Sequence, residues 1–576
     1  MALLPSPPFE DSTVQSIERR TFLGTLAATA ASLKEPSIAA PQQSPKRLLF
    51  NWDGSMIHCF GRAALGNPDG PLTKEQFSKL IFDPLAEQSV DAVLFSFGNG
   101  NVAEYQSRVL EWPGEADRFQ FPESKTWHGG IPVDAADQYR NPQSLAEAGA
   151  NPPQLVVNEC HRRGMRAFVS YRMNDCHDGQ HPKGTIPNPE LPTFKRQNAD
   201  WLVEDLDWWT ALDFSHPQVQ TLKLKAVEEF FDRWDFDGIE LDWLRHTLYF
   251  PRGTEQENAH HLTRFMRKVR KSLNRRAAQR GRPIEVAVRI PERVAWCQAG
   301  GFDIARWIDE NLVDSLILGQ GLTSLPTLAE FRALMGTRKL PIYPCLTPIG
   351  NGYMAQPDEV IRGTAANLWN AGADGLYAFN WFYYGPWRKA LLAEIARPER
   401  LAGKNKRYIA THRVAAPSGQ PGADYVRYST QGRSAGVPFS INVKSGSHTT
   451  ELAIGADLRA QNDRPKQAHL WIEFEFLGDQ DVLSVTCNDH SLEIPQTPRG
   501  VERKQMGKLL TPPANQGILG FPADRPVDNT FSGVLVPVPV ELLRQGTNRL
   551  TFTLKRRTPG LDHDVRIRRL EVQTGY

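Results

Sequence analysis

The sequence has little net charge, few cysteines and no apolar run long enough to cross a bilayer. Its 576 residues carry 67 Lys and Arg against 65 Asp and Glu, for a formal net charge of +2. A balance this even gives no electrostatic support for nucleic-acid binding, which depends on a basic surface. The six cysteines occur in no CxxC or zinc-finger spacing, which argues against a metal cluster.

Paired arginines near the N terminus precede an Ala-rich apolar stretch that ends at about Leu33. The order Arg19-Arg20, then Thr-Phe-Leu, resembles a twin-arginine export signal. We therefore expect residues 1–45 to be an export signal and linker, and the mature chain to be periplasmic or extracellular without a membrane span. The alternative is a disordered tail that happens to contain two arginines.

Residues 46–400 alternate buried strand-like segments with amphipathic helices. One such helix begins with a capping box, Thr73-Lys-Glu-Gln76. Eight strand–helix units of this kind predict an α/β fold, a (β/α)8 TIM barrel with loop insertions. The predicted strands are residues 48–53, 91–97, 165–175, 238–242, 285–290, 314–318, 340–343 and 374–380.

Helical periodicity disappears after about Arg400, and residues 401–576 read as short alternating segments separated by Pro- and Gly-rich turns. This pattern predicts an all-β sandwich. Residues 538–552 resemble the late strands of galactose-binding-like jelly rolls. Such modules bind sugars or buttress a barrel, and we expect a buttress. The predicted strands are residues 439–443, 470–476, 482–487, 534–538 and 550–554.

The stretch WDFDGIELDWLRH (residues 234–246) is the most informative part of the chain. On a strand, Gly238, Glu240 and Asp242 share one face. Two acids on the inner face of a buried strand are costly unless they are paired or used. Carboxylates at the C-terminal end of a barrel strand are what glycoside chemistry needs. The alternative is that Asp242 caps the next helix and Glu240 pairs with an internal arginine.

The spacing of Asp237, Glu240 and Asp242 resembles the chitinase motif Asp-Gly-x-acid-x-Asp. That family places its catalytic Glu two residues further on, and Leu244 stands at that position here. The resemblance therefore implies that hydrolysis assisted by a substrate N-acetyl group has lost its acid.

The same stretch also resembles strand four of the alpha-amylase family. That likeness implies a nucleophile at Asp242 and a basic pair at Arg245 and His246, with Glu240 replacing the family's Arg. The family takes its acid from the end of strand five, near which this chain has Glu292. It also needs an Asp near strand seven, where residues 344–348 contain none.

The broadest likeness is to glycosyl-hydrolase-like barrel proteins of exported bacterial repertoires. It is carried by FDGIELD (residues 236–242), by residues 172–178 and by residues 288–291. The resemblance implies a barrel fold and a glycosidic reaction class, and it assigns no substrate.

Polar side chains are expected at the C-terminal ends of the barrel strands, where barrel enzymes place their chemistry. Trp381 is either a stacking platform or part of the core. His177 and His181 lie four residues apart near Asp175, yet a Gly- and Pro-containing loop makes a metal site improbable. The predicted substrate-binding residues are Asn51, Asp53, Arg172, Asn174, Asp175, Arg245, His246, Arg289, Gln320, Asn380 and Trp381.

The sequence thus predicts an exported glycoside hydrolase that needs neither metal nor cofactor and acts on a carbohydrate substrate. Asp242 is the predicted nucleophile or base, and Glu240 or Glu292 the proton donor. Two alternatives stay open. One is a barrel that binds polysaccharide without catalysis, and the other is a uronate lyase that uses Arg with Tyr or His.

Three arginines, Arg172, Arg245 and Arg289, fall near the ends of neighbouring predicted strands. They outnumber the two acids of the central strand, so a spare guanidinium predicts an acidic or sulfated glycan. The alternative is that Asp175, Asp213 or Glu292 neutralises the surplus and the sugar is neutral.

Overall fold

Eight parallel strands and their helices form the first part of the fold. A computed structural model describes residues 48–55, 57–58, 71–86, 89–113, 125–128, 131–134, 137–179, 191–203, 209–319, 327–347, 356–381, 389–411, 436–494 and 531–576. The predicted export signal lies outside these residues. The elements up to residue 395 are β1 (Leu48–Asp53), α1 (Lys74–Phe82), β2 (Ala92–Ser96), β3 (Lys125–His128), β4 (Ile131–Asp134), α2 (Asp137–Glu147), α3 (Pro152–Arg162), β5 (Arg166–Arg172), α4 (Thr193–Gln197), α5 (Pro217–Arg233), β6 (Gly238–Asp242), α6 (Glu255–Arg280), β7 (Glu285–Ile290), α7 (Val294–Ala299), α8 (Ile304–Asp309), β8 (Ser315–Leu318), α9 (Leu328–Met335), β9 (Ile342–Leu346), α10 (Asp358–Asn370), β10 (Leu376–Ala378) and α11 (Lys389–Ile395).

The barrel closes in the order β1-β2-β5-β6-β7-β8-β9-β10, with β10 pairing back onto β1. All these pairings are parallel, so the predicted (β/α)8 barrel is confirmed. The capping box at Thr73 is also present. The predicted end of strand seven at residue 343 is wrong. Although Pro344 has no N–H to donate, β9 continues to Leu346, which pairs with Ala378.

The inner face of the barrel is apolar at its base and polar towards the C-terminal ends of the strands. Leu49, Leu94, Phe168 and Tyr343 belong to one buried interior cluster. Gly238 lies beside this cluster, and a Cβ there would come within 2.4 Å of the Phe168 ring. A glycine at this position therefore leaves room inside the barrel for the Phe168 ring.

On β6 the predicted alternation of side chains is confirmed. Ile239, Leu241 and Trp243 belong to the outer core that the helices cover. Glu240 and Asp242 therefore lie on the opposite, inward face. Within the described residues, no helix combines the length and the apolar character needed to cross a membrane.

Two antiparallel sheets follow the barrel, as predicted. One has the order β11-β19-β14-β17 with β12 also paired to β19, and the other has the order β13-β18-β15-β16. Burial alternates along β13 and β18, which gives each strand an inward apolar face. The strands are β11 (Lys406–Thr411), β12 (Phe439–Ile441), β13 (Ser447–Ile454), β14 (Gln467–Glu475), β15 (Val482–Cys487), β16 (His490–Leu492), β17 (Phe531–Pro537), β18 (Gly546–Arg556) and β19 (Val565–Gly575).

The C-terminal sheets lie directly against helix α10 of the barrel. A Cβ at Gly363 would come within 2.1 Å of the Arg407 carbonyl oxygen, and a Cβ at Gly455 within 2.1 Å of the Ala366 carbonyl oxygen. The Asn367 amide donates a hydrogen bond to the Ala453 carbonyl at 3.1 Å. Backbone therefore meets backbone at this contact, which leaves no room for side chains.

Replacing Gly363 with alanine is expected to destabilise the whole chain. The added methyl group would collide with the Arg407 carbonyl, and overpacking of this kind costs roughly 1–3 kcal/mol. On an exposed helix the same change would instead stabilise by about 1 kcal/mol. Urea unfolding of the full chain measures the effect, with Asn370→Ala at the exposed end of α10 as the control. A G363A protein at least as stable as the unsubstituted chain would contradict the close packing.

Candidate active site at the mouth of the barrel

Asp242 ends β6 and is paired with an arginine on the neighbouring strand. The register of β6 and β7 places Asp242 beside Arg289. The guanidinium donates to the Asp242 carboxylate at 2.9 Å, and the backbone N–H of Leu244 donates to its other oxygen at 3.0 Å. Arg289 also stacks on the Phe379 ring, with its guanidinium carbon 3.9 Å from the ring centroid. These contacts compensate the charge of Asp242 and fix the direction in which its carboxylate points.

Glu240 lies two residues deeper on the same inward face and is fully buried. The Tyr377 hydroxyl is 2.8 and 2.9 Å from its two oxygens. Ser170 also hydrogen-bonds to it and in turn accepts a hydrogen bond from Asn51 at 3.1 Å. Burial, and next the charge of Asp242, raise the pKa of Glu240 to about 7. Glu240 is therefore a protonatable group enclosed by the barrel.

Glu292 lies just beyond β7 and is the second carboxyl with a raised pKa. It is only 2% exposed, and this burial raises its pKa to about 8. Its carboxylate is close to Gly319 after β8, where a Cβ would lie 2.8 Å from one oxygen. Burial also raises the pKa of Cys345 on β9. The charge of Arg289 opposes that shift, and the charges of Glu240, Asp242 and Glu292 add to it.

A second set of ion pairs occupies the ends of β1 and β5. The Arg172 guanidinium contacts Asp53 at 2.6 Å and Asp175 at 2.9 Å. Burial alone would raise the pKa of Asp175. The hydrogen bond from His177 and the charge of Arg172 outweigh burial and hold that pKa well below its usual value. Asp175 therefore serves as a fixed anion under the mouth.

Two histidines lie beside Asp175, and one of them is hydrogen-bonded to it. Its carboxylate is 2.6 Å from Nδ1 of His177, and Arg245 is 3.0 Å from Nε2 of the same ring. Since a guanidinium can only donate, His177 accepts at Nε2 and carries its proton on Nδ1. His246 accepts the backbone N–H of Cys176 at Nδ1 at 3.2 Å.

The histidine cluster has metal-like spacing but does not suit a cation. Candidate ligand atoms of Asp175, His177 and His246 all lie within 4.8 Å of one another. However, the Nδ1 lone pair of His246 is already used, and the guanidinium groups of Arg172 and Arg245 contact the other two residues. Two fixed positive charges at a site repel a further cation, so we interpret the cluster as an ion-pair network. His181 lies outside the described residues.

The three arginines that were expected to include a spare guanidinium each lie near a carboxylate. Arg172 contacts two aspartates, Arg289 contacts Asp242, and Arg245 lies 3.7 Å from Asp175. Among the described residues the charges are therefore matched. Asp175, one of the alternatives considered, is a partner of two of these arginines.

The remaining predicted site residues differ in their surroundings. Asn174 is fully buried, and its side chain hydrogen-bonds to backbone groups of Leu212 and Leu248. It therefore connects two loops. Trp381 is only 1% exposed, which does not suit an open stacking platform. Asn380 has a left-handed backbone with a φ of 54°. Gln320 lies outside the described residues.

Three residues of the site carry no motif in the sequence. Tyr377 and Ser170 hydrogen-bond to Glu240, and the buried Thr347 directly follows β9. The alternation along each strand could have placed these residues on the inward face. The sequence does not show that they come together, because that depends on closure of the barrel.

No protein-family model matches the chain, and no curated protein matches it. Solved structures with a similar fold include the PgaB (BpsB) glycoside hydrolase domain from Bordetella bronchiseptica, at 13% identity and a TM-score of 0.38, covering 61% of this chain and 99% of that one. A GH18 chitinase from Pseudoalteromonas aurantia aligns at 11% identity and a TM-score of 0.31, over 61% and 99% of the two chains. Alpha-L-fucosidase isoenzyme 2 from Paenibacillus thiaminolyticus aligns at 12% and 0.38 over 63% of this chain, which spans about half (51%) of the fucosidase.

These three neighbours are glycoside hydrolases. Identities and TM-scores this low assign no function to this chain. The chemistry of the chain therefore rests on its own residues.

Replacing Glu240 with glutamine is expected to change how stability depends on pH. Because its pKa rises from an ordinary 4.5 to about 7 on folding, the folded chain binds more protons than the unfolded chain between these values. This group's contribution therefore lowers the free energy of unfolding as pH rises through that window. Glutamine is uncharged, as the protonated acid is, so the free energy of unfolding of this variant should not fall for this reason as pH rises.

Urea unfolding at about pH 5 and about pH 8 measures this effect. E240Q should gain stability relative to the unsubstituted chain at the higher pH. Glu451→Gln, at an exposed position on β13, is the matched control and should show no such gain. Equal pH dependence for both variants would contradict the raised pKa.

Proposed function

We propose that this chain is a glycoside hydrolase whose reaction takes place at the C-terminal mouth of the barrel. The observation that supports it most is the pairing of Asp242 with Arg289 at 2.9 Å, which holds an inward carboxylate at a strand end. Such a carboxylate can attack an anomeric carbon or activate a water molecule. Asp242 is the nucleophile or base in this proposal.

Glu292 is the proton donor that the surroundings favour. Its pKa of about 8 keeps it protonated at neutral pH, as a general acid requires. Glu240 also has a raised pKa, but both its oxygens contact Tyr377 one layer below Asp242. We assign Glu240 a supporting role. Two neighbouring carboxyl groups do not easily ionise together, so a protonated Glu240 allows Asp242 to stay ionised.

The geometry gives less support to a lyase. Such an enzyme needs an arginine available for a uronate carboxyl and a free Tyr or His as base. Arg172 and Arg289 already contact aspartates, and the Tyr377 hydroxyl is bound to Glu240. The hypothesis of an acidic or sulfated glycan rested on a surplus guanidinium, and the matched ion pairs remove that motive. Export through Arg19 and Arg20 remains part of the proposal and rests on the signal-like sequence alone.

Replacing Asp242 with asparagine is expected to leave the chain folded but less stable, because the buried Arg289 loses its charged partner. The turnover number should fall by about a thousandfold or more, as loss of a catalytic carboxylate does. A panel of polysaccharides is read for new reducing ends and for the absorbance of an unsaturated product. Asp309→Asn, on the exposed surface, should retain full activity. Near-normal turnover by a folded D242N protein would exclude the assignment. An unsubstituted chain that binds polysaccharide without releasing product would be a binding barrel.

Replacing Glu292 with glutamine is expected to slow the cleavage of substrates with poor leaving groups by about 10²–10⁴-fold and to spare aryl glycosides with activated leaving groups. This contrast follows because an activated leaving group needs no proton. In the unsubstituted enzyme, activity on the poor leaving group should fall as pH rises through about 8. If E292Q slows both substrates equally, Glu292 is not the donor, and E240Q is then tested with the same pair.

A further inference from the structure

Three neighbouring strands of the barrel end in buried polar atoms that have no hydrogen-bond partner among the described residues. These atoms are Oδ1 of Asp53, Oδ1 of Asn380 and Oγ1 of Thr347. Their residues end or follow β1, β10 and β9, which are consecutive around the barrel. No described residue satisfies them. Since buried polar groups in folded proteins are almost always hydrogen-bonded, these atoms indicate a place for a bound polar molecule.

The position of Thr347 places this group opposite the reactive carboxylate. Tyr343 and Cys345 belong to the interior cluster, so the alternation along the strand puts Thr347 on the same inward face. The pairing of β9 with β10 continues to the hydrogen bond between the Phe379 N–H and the Leu346 carbonyl, which brings Thr347 level with Phe379. Phe379 in turn carries the guanidinium of Arg289, the partner of Asp242.

Asn380 gives independent support for a ligand at this place. Its φ of 54° is a left-handed conformation that few side chains adopt, although asparagine tolerates it. Backbone strain of this kind is concentrated at ligand sites. Here it accompanies a buried amide oxygen that has no partner in the part of the chain that the structure describes.

The chemistry of the free atoms defines the ligand. A carboxylate can only accept, so the group facing Asp53 must donate a hydrogen bond. Nη2 of Arg289 is a donor that also lacks a partner among the described residues. Sugar hydroxyls donate and accept, and they satisfy both kinds of atom. An ionised sulfate or carboxylate group has no hydrogen to donate to Oδ1 of Asp53 and leaves that atom without a partner.

We propose that Asp53, Thr347 and Asn380 form a recognition arc that binds the hydroxyl groups of a neutral glycan. The strands that lead into the recognition arc, β9, β10 and β1, lie across the barrel from β6, which carries Asp242. This inference rests on the proposed function for the identity of the site. It adds the substrate class, neutral instead of acidic, and Thr347 as a residue that determines specificity.

Thr347→Val is the decisive variant, because valine keeps the shape of threonine and removes the hydroxyl. Thr347→Ser keeps the hydroxyl and is the matched control. Both are made in the D242N chain, so that binding is measured without turnover. Isothermal titration calorimetry uses chitotetraose, cellotetraose and xylotetraose as neutral probes and tetragalacturonate as the acidic probe.

At least one neutral tetrasaccharide should bind, and tetragalacturonate should not. T347V should weaken that binding by ~3- to 10-fold, and T347S should bind as the parent does. The melting temperature of T347V should equal or exceed that of the parent, because an unsatisfied buried hydroxyl has been removed. A hydroxyl with a structural role would instead lower it.

Equal affinities of T347V and T347S would overturn the inference, as would tight binding of tetragalacturonate or no binding of any neutral probe. Hydrolysis by the unsubstituted chain is assayed separately. Hydrolysis that does not depend on Thr347 would refute the recognition arc but would agree with the proposed function. Binding that depends on Thr347 without any hydrolysis would support the recognition arc and refute the proposed function.

Discussion

The ion pair between Asp242 and Arg289 is the interaction on which the mouth of the barrel depends. Both side chains are almost fully buried, at 2% and 1% exposed, and removing either partner would leave an uncompensated charge inside the protein. The parallel register of β6 and β7 places the two residues side by side. The Phe379 ring holds the guanidinium from the opposite wall. A rigid sheet therefore positions the charges, which is the condition for a preorganised site.

The mouth divides into two parts with different chemistry. The strands β5, β6 and β7 end in charged residues that are paired with one another, including Arg172 with Asp175 and Asp242 with Arg289. The strands β9, β10 and β1 end in the recognition arc, in which one oxygen of each residue lacks a partner within the described part of the chain, although the other oxygen of Asp53 contacts Arg172. A sugar bound across the mouth would place its hydroxyl groups at the recognition arc and its glycosidic bond beside the charged residues at the ends of β5, β6 and β7.

The sequence allowed the barrel and its central strand to be predicted, because hydrophobic period and strand alternation are local properties. Glu240 and Asp242 were assigned to the inward face for that reason. The partners of these two acids could not be predicted from the sequence, since Tyr377 is 137 residues away from Glu240 and contacts it only when the barrel closes. The arginine surplus was misjudged for the same reason. Strand β19 escaped prediction because its sequence, VRIRRLEVQTG, interrupts the apolar alternation with charged residues.

A crystal structure of the D242N chain with a bound neutral tetrasaccharide tests the central claim most directly. The account predicts an anomeric carbon next to residue 242, with the Glu292 carboxyl at the glycosidic oxygen of the same bond. Sugar hydroxyls should occupy the recognition arc. A saccharide bound on the C-terminal sheets, or one in the barrel with no carboxyl flanking a glycosidic bond, would contradict it.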